Sequence, residues 1–362
     1  MKVLVSFPGL HRVHRGAEVA LEAIGDGLAR RDHDVVVHGS GPIRHDRAYR
    51  YRRTPVIDRE RLSGLPSLPL LREPSSYESL GFNLAALARL RTGRFDATIT
   101  GGFPWDNLFL RRPARGGRPP HVFVTENGDW PALLDEGDAR LFSCDALVCT
   151  NPLYLERNRE RWNCELIPNG VDVDRFSPGD PDRDRLGLPR DRPLVLIVSA
   201  LIPSKRVEDG IRAVAALDDA ALVVAGVGPL EAEVERLGAE LLGPDRFQRR
   251  SFAHDDMPAL YRSADLLLHL THVESFGNVY VEAMATGLPV VAHRSVVTEW
   301  ILPELDGLVD TDDRTALVAA LDDHLRAGRD AGAAGRVAAA RERFAWSVVA
   351  ARYEELLERV VG

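Results

Sequence analysis

Short apolar runs separated by helical patterns are the feature that most constrains the fold of this chain. The run Lys2–Phe7 is typical of a buried strand, and Val35–Val37 forms a second run. Between them, four apolar residues lie on one predicted helical face: Ala17, Leu21, Ile24 and Leu28. Strand, helix and strand with short connections form a βαβ unit of a parallel sheet. Three further strands are predicted at 97–100, 121–125 and 146–149.

A second series of the same kind follows a segment, 168–193, whose Pro, Asp and Arg content is typical of a linker. Its strands are predicted at 194–199, 221–225, 266–269 and 290–292. A length of 362 residues favours two domains over one core. We therefore predict an α/β fold of two Rossmann-like, doubly wound domains, residues 1–172 and 173–344.

The last residues of the chain, 345–362, carry one apolar helical stripe without a strand of their own, and the stripe has to be buried against another element. It consists of Trp346, Val349, Tyr353, Leu356, Leu357 and Val360.

The net charge of −8 argues against a nucleic-acid-binding protein, because phosphate binding needs a large basic surface. Two local groups are basic nonetheless. They are either solvated surface or a docking place for an anionic acceptor or a membrane face. The first comprises Arg44, Arg47, Arg50, Arg52 and Arg53, and the second Arg111, Arg112 and Arg115.

The three cysteines, Cys144, Cys149 and Cys164, fit neither a disulfide framework nor a zinc site. The run Val3–Phe7 is too short for a signal peptide, and no stretch approaches the roughly 20 apolar residues of a membrane span. We expect a cytoplasmic protein, either free or peripheral at the inner face of the membrane; the oligomeric state is left open.

Residues 271–292 are the most informative segment, and they are predicted to form strand, loop, helix, turn and strand. The free N–H groups of Phe276, Gly277 and Asn278 would point beyond the helix start, where an anion such as a diphosphate is stabilised. Glu282 is placed to accept hydrogen bonds from a ribose, and Glu274 precedes the helix.

This segment closely resembles the Glu-x7-Glu signature of glycosyltransferase family 4, with Ser275-Phe276-Gly277 after the first Glu and a Glu-Ala-Met-Ala-x-Gly-x-Pro-Val run around the second. The resemblance extends along most of the chain. Its other parts are Arg15–Glu18 with Arg31–Val35, the segments Ile167–Asp172 and Phe176–Pro178, and the turn Ala225–Pro229.

The resemblance implies the GT-B fold, in which the two domains face a cleft and the C-terminal helix crosses back onto the first domain. It places the acceptor on the first domain and a nucleotide sugar on the second. Glu274 would contact the donor sugar, Glu282 the ribose, and Lys205 the diphosphate as it leaves. Further donor-binding residues implied are Gly16, Gly226, Gly228, Ser275, Phe276, Gly277 and Asn278.

The chain departs from the family pattern at two places. Ala200 stands where the family usually has a phosphate-binding arginine, so Arg206 is the nearest substitute. The histidine that many members carry after a first-domain strand is replaced by residues 125–130. There, Glu126, Asn127 and Asp129 are candidates for sugar or acceptor contacts, and an Asx-type turn is the alternative.

The resemblance thus implies a retaining, metal-independent transfer of a hexosyl group from a nucleotide diphosphate sugar to a hydroxyl acceptor on a glycan, a lipid-linked or a small molecule, without a cofactor. The donor's base and sugar stay open. The rivals are a nucleotide-sugar epimerase and a donor-binding but inactive homologue. An NAD-dependent oxidoreductase is disfavoured because the first turn lacks the Gly-x-Gly-x-x-Gly spacing.

Overall fold

A computed structural model describes residues 1–87, 89–113, 117–304 and 306–362. The chain forms two compact units. The first comprises residues 1–170 together with 346–362, and the second comprises residues 171–345. These bounds differ by one or two residues from those expected from the sequence.

The described part of the first unit contains a seven-stranded parallel sheet, in the order β3-β2-β1-β4-β5-β6-β7. The order reverses between β1 and β4, which makes this the switch point of a doubly wound sheet. The strands are β1 Lys2–Ser6, β2 Asp34–Gly39, β3 Arg50–Arg53, β4 Ala97–Thr100, β5 His121–Val124, β6 Ala146–Cys149 and β7 Cys164–Leu166.

The helices of the first unit pack on both faces of this sheet. They are α1 Gly16–Ala29, α2 Pro74–Leu87, α3 Trp105–Leu110, α4 Trp130–Leu133 and α5 Pro152–Asn158, with α14 Trp346–Val361 from the chain end. The stripe of α14 is buried in the same core cluster as β1, β2 and α1. The prediction that the C-terminal helix returns to the first domain is therefore confirmed.

The second unit has a six-stranded parallel sheet in the described residues, in the order β10-β9-β8-β11-β12-β13. Its switch point lies between β8 and β11. The strands are β8 Leu194–Val198, β9 Ala221–Ala225, β10 Phe247–Arg250, β11 Leu266–His269, β12 Val290–His293 and β13 Gly307–Val309. The helices are α6 Arg183–Leu186, α7 Val207–Ala215, α8 Glu231–Leu241, α9 Met257–Ser263, α10 Asn278–Ala285, α11 Val296–Ile301, α12 Arg314–Ala327 and α13 Ala333–Phe344.

The segment 168–193 is not the linker that its composition indicated. Phe176, Leu186 and Leu188 are buried in the core of the second unit, and α6 lies within the segment. These three apolar side chains anchor a stretch that is otherwise rich in Pro and Asp, so residues 171–193 belong to the second unit and only 168–170 to the first.

In the second basic group predicted from the sequence, the two described arginines make contacts within the fold. Arg111 donates to the carbonyl of Leu141 and Arg112 to that of Leu90, so both are used within the fold. Arg115 lies outside the described residues. Within the described ranges, no helix combines the length and the apolar character that crossing a bilayer requires.

Candidate functional site

The switch point of the second sheet brings together the two loops that carry the main sequence candidates. The chain leaves β8 toward Lys205, which closes a short 3-10 turn, Pro203–Lys205. It leaves β11 at His269 and continues to Glu274. In parallel sheets, ligands bind outside the carboxyl ends of the strands at such a point.

Lys205 and Glu274, which are 69 positions apart, form a direct ion pair between Nζ and Oε1. The same Oε1 accepts a hydrogen bond from His269 Nε2 at 3.0 Å. Burial opposes ionisation of Glu274, but the hydrogen bond and charge of His269 and the charge of Lys205 outweigh it, and the pKa of Glu274 is lowered. The structure therefore holds an anionic carboxylate next to a cation, and both side chains are about four-fifths buried.

The start of α10 lies directly after this pair. Gly277 has φ 90°, and a β-carbon there would lie 2.5 Å from the ring of Tyr280, so the position requires glycine. Gly277 offers no side chain to cap the first turn of the helix. The side chain of Phe276 is in the core against Phe344, which leaves only its backbone for a ligand.

Glu282 lies in α10 and accepts a hydrogen bond from the hydroxyl of Tyr261 at 2.6 Å. Burial raises the pKa of Glu282 to about 7, against the opposing effects of this hydrogen bond and of Arg175. This carboxyl therefore titrates near neutral pH. When it is ionised it only accepts hydrogen bonds, and when it is protonated it also donates one.

Gly226 and Gly228 serve the packing of the loop that leads to Lys205. A β-carbon on Gly226 would lie 1.8 Å from the carbonyl oxygen of Ser199, and one on Gly228 would lie 2.5 Å from that of Leu201. Ala200, between these two contacts, is exposed. The two glycines thus fix the backbone of the loop from inside the protein.

Arg206 does not join Lys205. The backbone of Arg206 adopts a left-handed conformation with φ 54°. Its guanidinium forms ion pairs with Asp209 at 3.0 Å and with Asp312 at 2.7 Å. It also donates to Thr311 at 3.0 Å. Two carboxylates already hold this cation, so it is less available to a phosphate than the sequence position indicates.

In the first unit, the candidates after β5 differ in their surroundings. Glu126 is buried, and its Oε2 accepts a hydrogen bond from Asn169 at 2.9 Å. Burial raises its pKa to about 8. Asp129 is occupied by Arg157 and by Asn158, whose Nδ2 donates to it at 2.8 Å.

Asn127 is exposed, and the backbone N–H of Gly128 donates to the carbonyl of Thr125 at 3.2 Å, so Asn127 lies at the exposed position of a turn over residues 125–128. Gly16, the first residue of α1, is exposed at the carboxyl end of the first sheet. No group of three or more His, Cys, Asp or Glu side chains is arranged for a metal ion within the described ranges.

Sequence reasoning missed His269 and Tyr261, which orient the two glutamates. His269 ends the apolar run of β11, and a polar residue at the end of a buried strand is a signal that such reasoning can use. Tyr261 gives no such signal, because its apolar neighbours in α9 make it look like an ordinary core residue.

Two family models match this chain in succession. Residues 14–175 match Glycosyltransferase Family 4, and residues 180–338 match Glycosyl transferases group 1. Both matches include candidate site residues.

Curated relatives are identical to the chain at about a third of the aligned positions. One is a GDP-mannose-dependent alpha-(1-6)-phosphatidylinositol monomannoside mannosyltransferase of Mycolicibacterium smegmatis, 36% identical over 53% of this chain and 56% of its own length. Another is a D-inositol 3-phosphate glycosyltransferase of the same organism, 34% identical over 44% of this chain and 38% of its own. The chain thus spans about half the length, or less, of these relatives.

A solved structure, sucrose-phosphate synthase from Thermosynechococcus elongatus, superimposes with a TM-score of 0.78. The superposition covers 99% of this chain and 98% of that one, at 22% identity. At this identity the superposition shows that the two proteins share a fold, the GT-B fold, and nothing more.

Proposed function

Because this chain belongs to the glycosyltransferases of family 4 and group 1, we propose that it transfers a hexosyl group from a nucleotide diphosphate sugar to a hydroxyl acceptor with retention of configuration. The second unit binds the donor, and the first unit binds the acceptor. The observation that carries the proposal is the ion pair of Lys205 and Glu274 at a sheet switch point, directly before α10.

The leaving diphosphate gains negative charge as the bond to the sugar breaks, and two features of the second unit suit it. Lys205 supplies a compact positive charge, and the start of α10 supplies backbone N–H groups. Both are fixed in place before a substrate arrives, so little reorganisation is needed during the reaction.

Glu274 accepts hydrogen bonds from the hydroxyls of the donor sugar. His269 and Lys205 keep it ionised, so it accepts hydrogen bonds and does not donate them. When the diphosphate shares the charge of Lys205, the carboxylate is freed toward the sugar. Glu282 accepts hydrogen bonds from the ribose in the same way when it is ionised.

A panel of GDP-, UDP- and ADP-hexoses tests the proposal by thermal shift and by turnover. GDP-mannose is the first choice, because relatives are named as GDP-mannose-dependent enzymes. Saturation at a hundredfold excess over Kd stabilises a protein by about 2.7 kcal/mol. The acceptor panel includes inositol phosphates and phosphatidylinositol, since these words occur in the relatives' names.

Retention is read from the anomeric NMR signals of donor and product. An inverted product contradicts the stereochemical part of the proposal. Failure of every nucleotide sugar to bind contradicts the donor assignment, and epimerised donor without an acceptor product identifies the rival activity.

A further inference from the structure

Glu22 in α1 is a buried carboxylate that holds two arginines of one loop. Arg44 and Arg47 approach the same oxygen, Oε2, at 3.7 and 3.8 Å. The other oxygen accepts the backbone N–H of His11 at 2.6 Å. The Glu22 side chain is 6% exposed, whereas those of Arg44 and Arg47 are 25% and 32% exposed. The carboxylate therefore orients the two guanidiniums from below while their outer edges face solvent.

Glu78 in α2 repeats this arrangement. It forms ion pairs with Arg12 and, at 3.1 Å, with Arg59, and its side chain is almost fully buried. Arg12 also pairs with Asp58 at 2.8 Å, and Asp58 is more than half exposed. Four guanidiniums, which we call the guanidinium cluster, are thus held by two buried carboxylates and one exposed one.

The guanidinium cluster lies at the carboxyl ends of the strands of the first sheet. Arg12 follows β1, Arg44 and Arg47 follow β2, and Arg59 follows β3, so all four come after the carboxyl ends of parallel strands. One further carboxyl links the arginines at Glu22 with those at Glu78, because Glu18 interacts electrostatically with both Arg59 and Glu22. Burial raises the pKa of Glu18, which weakens its ability to neutralise the cluster.

The charge of the cluster is unusual for this protein. The chain carries a net charge of −8, yet here arginines outnumber the carboxylates paired with them. Arg44 and Arg47 share one oxygen at distances beyond a normal hydrogen bond, so Glu22 does not use up their N–H donors, although Arg44 Nη2 also contacts His14 Nε2 at 3.0 Å. Guanidinium forks of this kind fit the geometry of a phosphate group.

We propose that the guanidinium cluster binds a phosphate ester, with Arg44 and Arg47 as the primary contacts. The description of this ester as part of the acceptor rests on the function proposed above, since that function assigns the acceptor to the first unit. The binding of the phosphate group itself does not depend on it. The ester belongs either to a small molecule or to a lipid headgroup, and both present anionic phosphate oxygens.

Titration calorimetry with glycerol 3-phosphate, and with glycerol as the uncharged comparison, tests the small-molecule source. Flotation with phosphatidylcholine vesicles, with and without phosphatidylinositol, tests the lipid source. The protein is expected to bind glycerol 3-phosphate more tightly than glycerol, or to bind vesicles that contain the anionic phosphatidylinositol more than vesicles of phosphatidylcholine alone. Absence of any preference in both experiments overturns the proposal.

The double variant Arg44→Gln/Arg47→Gln is expected to bind the preferred phosphate partner at least about tenfold more weakly, since one hydrogen bond to a charged group contributes on that order. Arg50→Gln is the matched control. Arg50 begins β3 and pairs with Asp34 at the amino end of β2, at the opposite edge of the sheet. Unchanged binding by the double variant, or an equal loss in Arg50→Gln, overturns the assignment.

Arg44→Lys/Arg47→Lys covers the case in which the glutamine variant does not fold. It keeps both charges near Glu22 but removes the forks, so weaker phosphate binding is expected with an unchanged melting temperature. If this lysine variant binds the phosphate partner with wild-type affinity, the proposal that the guanidinium forks contact the phosphate is wrong. Nucleotide-sugar binding separates the two proposals: a protein that binds phosphate esters here but no nucleotide sugar refutes the proposed function alone, and the reverse result refutes this site alone.

Discussion

The ammonium of Lys205 is paired with the carboxylate of Glu274, which in turn accepts a hydrogen bond from His269. The pair joins the loop after β8 to the loop after β11. It has two effects: the lysine keeps the glutamate ionised, and the glutamate holds the lysine at the edge where a diphosphate is proposed to bind.

Lys205→Ala is expected to lower kcat by on the order of 10²- to 10³-fold, the loss seen when one preorganised electrostatic contact is removed. The effect on donor affinity is expected to be smaller, because charge on the diphosphate grows during the reaction. Ala200 offers no second cation at the loop. Steady-state kinetics with the donor found by the panel measure both quantities.

Arg206→Ala is the control for this variant, because Asp209 and Asp312 already hold that guanidinium. It is expected to reduce kcat less than Lys205→Ala does. Lys205→Arg is expected to recover little, since a planar fork does not place its charge where an ammonium does. Wild-type kcat in Lys205→Ala with loss in Arg206→Ala shows that the phosphate contact is one residue further along.

Glu282 is expected to make nucleotide affinity depend on pH. Its pKa is raised to about 7, chiefly by burial, so it is largely protonated at about pH 6 and ionised at about pH 8. Only the ionised form accepts from both ribose hydroxyls, and affinity for the free nucleotide diphosphate is expected to increase with pH. Calorimetric titrations of wild type and Glu282→Gln measure the difference, because titration of the nucleotide itself is common to both. Parallel pH profiles remove Glu282 from the ribose role.

Gly226→Ala is expected to destabilise the second unit by about 1–3 kcal/mol and to lower kcat, because its β-carbon meets the Ser199 carbonyl in the loop that leads to Lys205. Gly335→Ala is the control. Gly335 lies in α13 with open space around its β-carbon, and its substitution is expected to stabilise by ~0.5–1 kcal/mol. Chemical denaturation and kinetics distinguish them. Wild-type kcat in Gly226→Ala shows that the loop tolerates the displacement.

Leu357→Ala is expected to destabilise the first unit by about 2–5 kcal/mol, the usual cost of deleting a fully buried leucine side chain. Leu357 of α14 packs in the core that contains β1 and β2. Hydrogen exchange is therefore expected to increase in residues 1–170, although the substitution lies at the other end of the chain. Val361→Ala, at an exposed position of the same helix, serves as control. Exchange that increases only within α14 contradicts the packing argument.

The central strands were predictable because burial on both faces makes them continuous apolar runs, as in Leu194–Val198 and Ala221–Ala225. The strands that sequence reasoning missed are β3, β7, β10 and β13, the outermost strands of the two sheets. The sequence of β3 is Arg-Tyr-Arg-Arg and that of β10 is Phe-Gln-Arg-Arg. Their outer position removes the need for apolar residues, and with it the pattern.

The site was predictable where one segment carries it, as in residues 274–282, and less so where distant side chains meet. The pairing of Lys205 with Glu274 depends on strand order, which periodicity does not determine. Likewise, Arg44 and Arg47 looked like part of one basic run ending at Arg53, but Arg50 pairs with Asp34 at the other edge. A run in sequence is not a surface in the fold.

Glu126 is expected to make the stability of the first unit fall as pH rises. Burial raises its pKa from the ordinary 4.5 to about 8, despite the hydrogen bond from Asn169. The folded protein therefore keeps a proton that the unfolded chain releases, and this favourable contribution is lost between about pH 4.5 and pH 8. Glu126→Gln keeps an oxygen that accepts from Asn169 but does not ionise, so its urea-unfolding free energy is expected to exceed that of the wild type at about pH 8 and to approach it at about pH 5. Glu136→Gln, at an exposed position, is expected to follow the wild type. If the wild type and Glu126→Gln keep the same difference at both pH values, Glu126 ionises equally in the folded and unfolded chains, and its burial has no effect on its charge.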